Sequence, residues 1–237
     1  MHYSTSFQLA CKCSPPIHRR GFVSFLNQLK SQASALQTQQ RRELQSFDAN
    51  AERTEAACQT VWNYFSELSR QLDVIEPPGP SFTLDGKTPW PAMKLVSFRA
   101  DFRRKKLRDK DVYDYAAIGW NVVPRVGNAL VGSVSANFPP DLLRIEARLA
   151  AGAVKHERKD IRHPEKNTLL SIRFDYLTQA RGSVKVTADH EAGTLAFRVA
   201  GASGFEILNS VWPATQVETG MLDELAKMMV AQPNNFA

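Results

Sequence analysis

Apolar residues repeat with two different periods along this chain, and the switch between them divides it. In the first third, Leu44, Ala51, Cys58, Phe65 and Leu72 form one seven-residue series, and Phe47, Thr54, Val61, Leu68 and Ile75 form a second, offset by three. Alternating steps of three and four are the signature of a helix that buries a narrow apolar seam against another helix. Upstream, Phe22, Leu26, Leu29, Ala33 and Leu36 keep the same spacing, and Gln40 and Leu44 then follow at steps of four. The seam therefore contains one stutter, where a supercoil locally unwinds. No Pro or Gly occurs from Phe22 to Glu76, the filling residues favour helix, and the pattern stops at Pro77-Pro78-Gly79-Pro80. These features predict a long coiled-coil-like helix over 21–76, single or slightly kinked in preference to a hairpin turning near residues 46–50. Its seam, Leu44, Phe47, Ala51, Thr54, Cys58, Val61, Phe65, Leu68 and Leu72, is expected to meet a partner helix, from another protein or a second copy.

After the Pro-rich stretch 77–91 the period becomes two. In KLVSFRADF, Val96, Phe98, Ala100 and Phe102 alternate with polar residues, and in VYDYAAIGWNVV, Val112, Ala116, Ile118, Trp120 and Val122 share one face. A long hairpin through LRDKD is the expected link, followed by a short strand near Leu130 to Ser135. PPDLLRIEARLAAG reads as a helix, with Pro140 in its first turn, Leu142, Ile145 and Leu149 on one side and Gly152 as a stop. The alternation of Ile145, Ala147 and Leu149 leaves a strand as the rival there. VKHERKDI, TLLSIRFDYL, GSVKVTAD, TLAFRVA and FEILN then read as strands of an antiparallel meander, with Gly193 turning the chain in HEAGT. A last helix is marked by Thr215 and Glu218 at capping-box spacing, although Gly220 inside it allows a start at Thr219. The expected fold class is α+β: a long N-terminal helix, then an antiparallel sheet packed by one internal and one C-terminal helix. Its organisation is a basic arm at 1–20 expected to be disordered, the helical segment 21–76, a linker at 77–91 and a sheet domain at 92–237.

Composition refines this picture in two places. With 43% hydrophobic and 23% charged residues among 237, the chain can bury one sizeable core. It has no run near the roughly 18 apolar residues that would span a bilayer. Its three cysteines, Cys11, Cys13 and Cys58, suit neither a disulfide framework nor a multi-cysteine zinc site, so a reducing cytoplasm is the expected location. The formal charge of +6 resides entirely in residues 1–42, where Lys12, Arg19, Arg20, Lys30, Arg41 and Arg42 meet no acid; the rest carries 24 basic and 24 acidic side chains. That arm lacks the apolar core of a secretory signal.

Residues 103–110, RRKKLRDK, concentrate basic side chains beside Tyr113 and Tyr115, a combination that can follow a phosphate backbone. Against that, Asp109, Asp111 and Asp114 crowd the same turn, and residues 43–93 hold eight acids against three bases. The expected role of Arg103, Arg104, Lys105, Lys106 and Arg108 is therefore a solvated hairpin paired with the acidic helix, with anion or nucleic-acid contact as the second choice. DKDVYD lacks the glycine and distal Glu of a calcium loop. No histidine spacing matches a metal or hydrolase motif, and there is no GxSxG, P-loop or GxGxxG, so no catalytic, metal or cofactor residue is nominated. The leading expectation is a non-enzymatic interaction protein with a protein partner or a second copy. A nucleic-acid binder is the alternative, and a pocket-bearing hydrolase or lipid-binding protein the third.

Overall fold

The computed structural model describes residues 25–236, so the basic arm expected at 1–20 lies outside the described residues. The chain divides into two units, 1–45 and 46–237. In the first, the described residues 25–45 belong to α1 (Phe25–Ile75), and all their side chains are exposed, including Phe25, Leu26, Leu29, Leu36 and Leu44. The remainder of α1 belongs to the second unit, an α+β body.

That body contains two antiparallel sheets. Strands β1 (Met93–Leu107), β2 (Lys110–Pro124), β6 (Ala180–Asp189), β7 (Thr194–Ala200) and β8 (Ile207–Pro213) form a five-stranded sheet in the order β1-β2-β6-β7-β8. Between β2 and β6 the chain makes an excursion through β3 (Val131–Ala136), α2 (Pro139–Ala151), β4 (His156–Arg162) and β5 (Leu169–Leu177), whose strands form a separate sheet in the order β3-β5-β4. The expected single meander is thus interrupted. The strand β4, HERKDIR, has no buried residue and closes an edge with charges, Arg158 to Glu146 of α2 at 2.8 Å and Lys159 to Asp175 of β5 at 2.8 Å.

Strand alternation decides which sheet face is dry. On the five-stranded sheet, Leu95, Phe98, Ala116, Ile118, Trp120, Val122, Val184, Val186, Leu195, Phe197 and Val199 are buried in one core. Thr54, Cys58, Val61, Phe65 and Leu72 of α1 are also buried, Leu68 is partly so, Phe47 and Ala51 are half-buried, and Leu44 is exposed. The lower seam of α1 therefore packs inside its own body: the Trp62 and Phe102 rings lie 4.6 Å apart, and Asp73 accepts from the Phe98 amide at 3.1 Å. At roughly 1.5–3 kcal/mol for each large side chain buried, this face anchors the helix firmly. The last helix, α3 (Thr219–Met229), adds Leu222, Leu225 and Met229 to the core, and the Tyr64 hydroxyl donates to Asp223 at 2.7 Å.

Three local features depart from the sequence pattern. A bulge lies between Val96 and Arg99, with Ser97 at φ 56°, so Phe98 enters the core while Val96 pairs with outward-facing Asn121. Thr215 and Glu218 form no capping box, because residues 214–216 are a 3-10 turn and α3 starts at Thr219. Residues 77–91 are a packed loop: Phe82, Leu84 and Trp90 are buried, and Phe82 and Trp90 stack with Tyr176 and Phe205 in an aromatic cluster. α2 is a helix, as its Pro start and Gly152 stop predicted.

Candidate functional site

The basic run lies on the last turnless stretch of β1, beneath α1. The strands β1 and β2 are joined by Arg108 and Asp109 alone, with φ of 47° and 65°, the left-handed pair that a two-residue hairpin turn demands. A second register shift, between Arg103 and Arg104, leaves Asp114 as the extra residue on β2. Its carboxylate is consequently aimed at both neighbours across the ladder. The Arg103 Nε donates to it at 2.8 Å, Lys105 Nζ lies 3.3 Å away, and these partners hold Asp114 below the usual carboxylate range, led by the Arg103 hydrogen bond.

The other basic side chains are also engaged within the chain. Arg104 pairs with Glu55 of α1 and sits 4.8 Å over the Tyr113 ring; Lys106 lies 3.2 Å from Asp111; the Arg108 guanidinium stands 3.7 Å over the Phe47 ring. Glu55 organises this contact, since its second oxygen also accepts from the Tyr113 amide at 2.9 Å. One helical turn on, Gln59 Oε1 accepts from the Tyr113 hydroxyl at 3.0 Å. The acidic helix and the basic strand thus neutralise each other, and between them lies a groove of about 440 Å³ lined by Phe47, Ala51, Glu55, Gln59, Leu107 and Arg108.

Cys58 and His190 are both buried, and His190 borders a separate depression of about 480 Å³ together with Phe47, Lys105 and Leu107. Burial first, and the neighbouring Glu55 charge second, push the Cys58 thiol up to about 12, so it carries no thiolate at neutral pH. His190 Nε2 is 3.5 Å from Glu55, but neither ring nitrogen has a hydrogen-bond partner among the described residues, and burial lowers its pKa against the opposing pull of Glu55. A thiol shielded in this way is a weak nucleophile, because the thiolate is the reactive form. Among the described residues no cluster of three or more His, Cys, Asp or Glu is placed to hold a metal ion, and no helix is long and apolar enough to cross a membrane.

Arginines that the sequence pattern did not single out occupy the opposite, outer face of the five-stranded sheet. Arg99 on β1, Arg181 on β6 and Arg198 on β7 border a depression of about 680 Å³, together with Ser97, Asn121 and Ser183. Their only signal in the sequence is that each takes a polar position in an alternating strand. No family model matches the chain, and neither a curated protein nor a solved structure shows significant similarity to it. Its class is thus that of its own architecture, an α+β body of two antiparallel sheets with a long N-terminal helix.

Proposed function

We propose that this is a non-enzymatic interaction protein that recruits a helix of another polypeptide through the N-terminal part of α1. The observation that supports this is the split fate of one heptad stripe. Its later members are buried in the chain's own core, whereas Leu26, Leu29 and Leu36, at the same 3-4 spacing, are exposed, Leu26 at 57% and Leu36 at 60%. An amphipathic stripe of this kind gains stability by meeting a second helix with matching knobs and holes. Charge favours one sort of partner. The described stretch 25–42 holds Lys30, Arg41 and Arg42 and no acid, so a second copy brings like charge alongside the seam, while a helix with acidic flanks brings attraction.

The test uses the full chain with two synthetic heptad helices, identical in their Leu seam but flanked by Glu or by Lys, followed by fluorescence anisotropy. The acidic helix is expected to bind and the basic one not, with binding lost in Leu29→Asp and Leu36→Asp while the melting temperature of the body is unchanged. Light scattering on the chain alone supplies the control. Absence of binding to the acidic helix, or a stable homodimer formed through the same leucines, refutes recruitment of an acidic partner.

A further inference from the structure

We infer that the outer face of the five-stranded sheet is a binding site for a small anion carrying two or more phosphate groups, held by Arg99, Arg181 and Arg198. The site is independent of the helix stripe. Its three arginines project from β1, β6 and β7; three strand spacings and a two-residue offset in register, together roughly 16 Å, separate the backbones of Arg99 and Arg198. Arginine stems are long enough to converge on a ligand over that gap, and their planar forks suit phosphate oxygens. All three are exposed, and among the described residues none forms an ion pair or a side-chain hydrogen bond, in contrast to the paired run Arg103 to Lys106. Ser97, Ser183 and Asn121 add neutral donors at the rim.

The floor points to a ligand rather than to a solvated surface. Gly119 sits mid-strand between Arg99 and Ser183, yet a Cβ there would meet nothing closer than the Gly182 carbonyl oxygen at 3.8 Å. Packing therefore does not require glycine at 119, and its usual cost in a strand interior leaves the backbone open to close approach from above. Beyond the lining, Lys185 pairs across the ladder with Arg198, and its ammonium turns over the Tyr115 ring at 4.6 Å, which leaves the Arg198 guanidinium as the cation facing the depression. The acid on the same side of β1, Asp101, is occupied by the Tyr115 hydroxyl at 3.3 Å and its neighbour's amide.

The shape favours a compact ligand over a polymer. The end of α2 and the loop after it, through Ala151 and Ala153, wall the depression, and its volume lies in the range of small-molecule sites. The aromatic residue among its lining, Trp120, is buried, so no exposed ring is offered for stacking bases.

Isothermal titration with tripolyphosphate as the probe tests the inference on the full chain at low salt. Binding is expected for the unaltered protein, weakened about tenfold by each of Arg99→Ala, Arg181→Ala and Arg198→Ala, and unaltered by Arg158→Ala on the other sheet. Tripolyphosphate should also raise the melting temperature. Because the three arginines are exposed, thermal melts of the variants verify that they fold. Orthophosphate binding as tightly as tripolyphosphate overturns the requirement for two phosphates. No binding, or binding indifferent to the three arginines, overturns the site. A single-stranded oligonucleotide that binds more tightly than tripolyphosphate through the same arginines overturns the assignment to a small ligand.

Discussion

Replacing Phe65 by Ala distinguishes a helix that belongs to its own body from one whose whole seam is intermolecular. Phe65 is 0% exposed and lies in the core shared with Val61, Ile118 and Trp120. Removing its ring forfeits the transfer free energy of the buried atoms and leaves a cavity, which together cost about 3–5 kcal/mol. A domain of this size has a total stability on the order of 5–15 kcal/mol, so the variant should be folded but visibly weakened. Leu36→Ala, at an exposed position of the same stripe, should change stability by less than about 0.5 kcal/mol. The assay is urea denaturation followed by tryptophan fluorescence, because Trp62 and Trp120 lie in or against this core. It is run at two protein concentrations differing about a hundredfold, since an obligate intermolecular seam makes the midpoint depend on concentration. A loss below about 1 kcal/mol for Phe65→Ala, or a midpoint that climbs with concentration, refutes the placement of the lower stripe inside the body.

Four further outcomes are expected. Glu55→Ala frees Arg104 and leaves the Tyr113 amide without its acceptor, and should destabilise the body by about 1–3 kcal/mol in the same denaturation assay. The pKa of His190 is lowered by burial, so the unfolded chain binds its proton more readily; stability is full above the ordinary value of 6.5 and declines as pH falls below it, a decline that His190→Gln should remove from melts between pH 7.5 and 5. Cys58 should resist alkylation in the native protein and react once denatured, as read by peptide mass mapping that separates it from Cys11 and Cys13. Burial disfavours the Asp85 charge, but hydrogen bonds from the Thr88 and Lys87 amides and from two Thr hydroxyls outweigh it and bring the carboxyl down to about 2; Asp85→Ala should cost about 1 kcal/mol, and this contribution should vanish as pH falls from 3.8 towards 2 in the parent protein.

The elements that were legible in the sequence are those whose burial has one period throughout. The α1 stripe, the Pro start and Gly stop of α2, and the alternation in β6 and β7 all appear where the pattern placed them. What the pattern could not reveal is a change of phase within a strand. At Ser97 a single residue with positive φ shifts β1 by one position, so Val96 leaves the face that Phe98 enters, although the letters alternate without a break. The heptads likewise reported an apolar seam without reporting its partner. A helix lying on a sheet and a helix lying on a helix both bury every third or fourth residue, and the part of α1 after residue 46 lies on a sheet. Pro-rich composition was similarly silent about Phe82 and Trp90, whose burial depends on Tyr176 and Phe205 from distant parts of the chain.

The two basic surfaces show why local charge density is a poor guide to binding. Arg103 to Lys106 stand out because they are contiguous, yet contiguity on a hairpin brings Asp111 and Asp114 opposite them, and the acidic helix supplies Glu55. Their charge is neutralised by the same local geometry that makes it conspicuous. Arg99, Arg181 and Arg198 are separated by up to 99 residues and flanked in sequence by apolar core positions, so nothing local marks them. Sheet topology alone gathers them, and on that face no acid among the described residues pairs with them. An unpaired cation on a flat, wet surface costs little, but three of them gathered round one depression, over a glycine that packing does not require, concentrate positive potential there. A counter-charge from outside the chain is the complement to that arrangement.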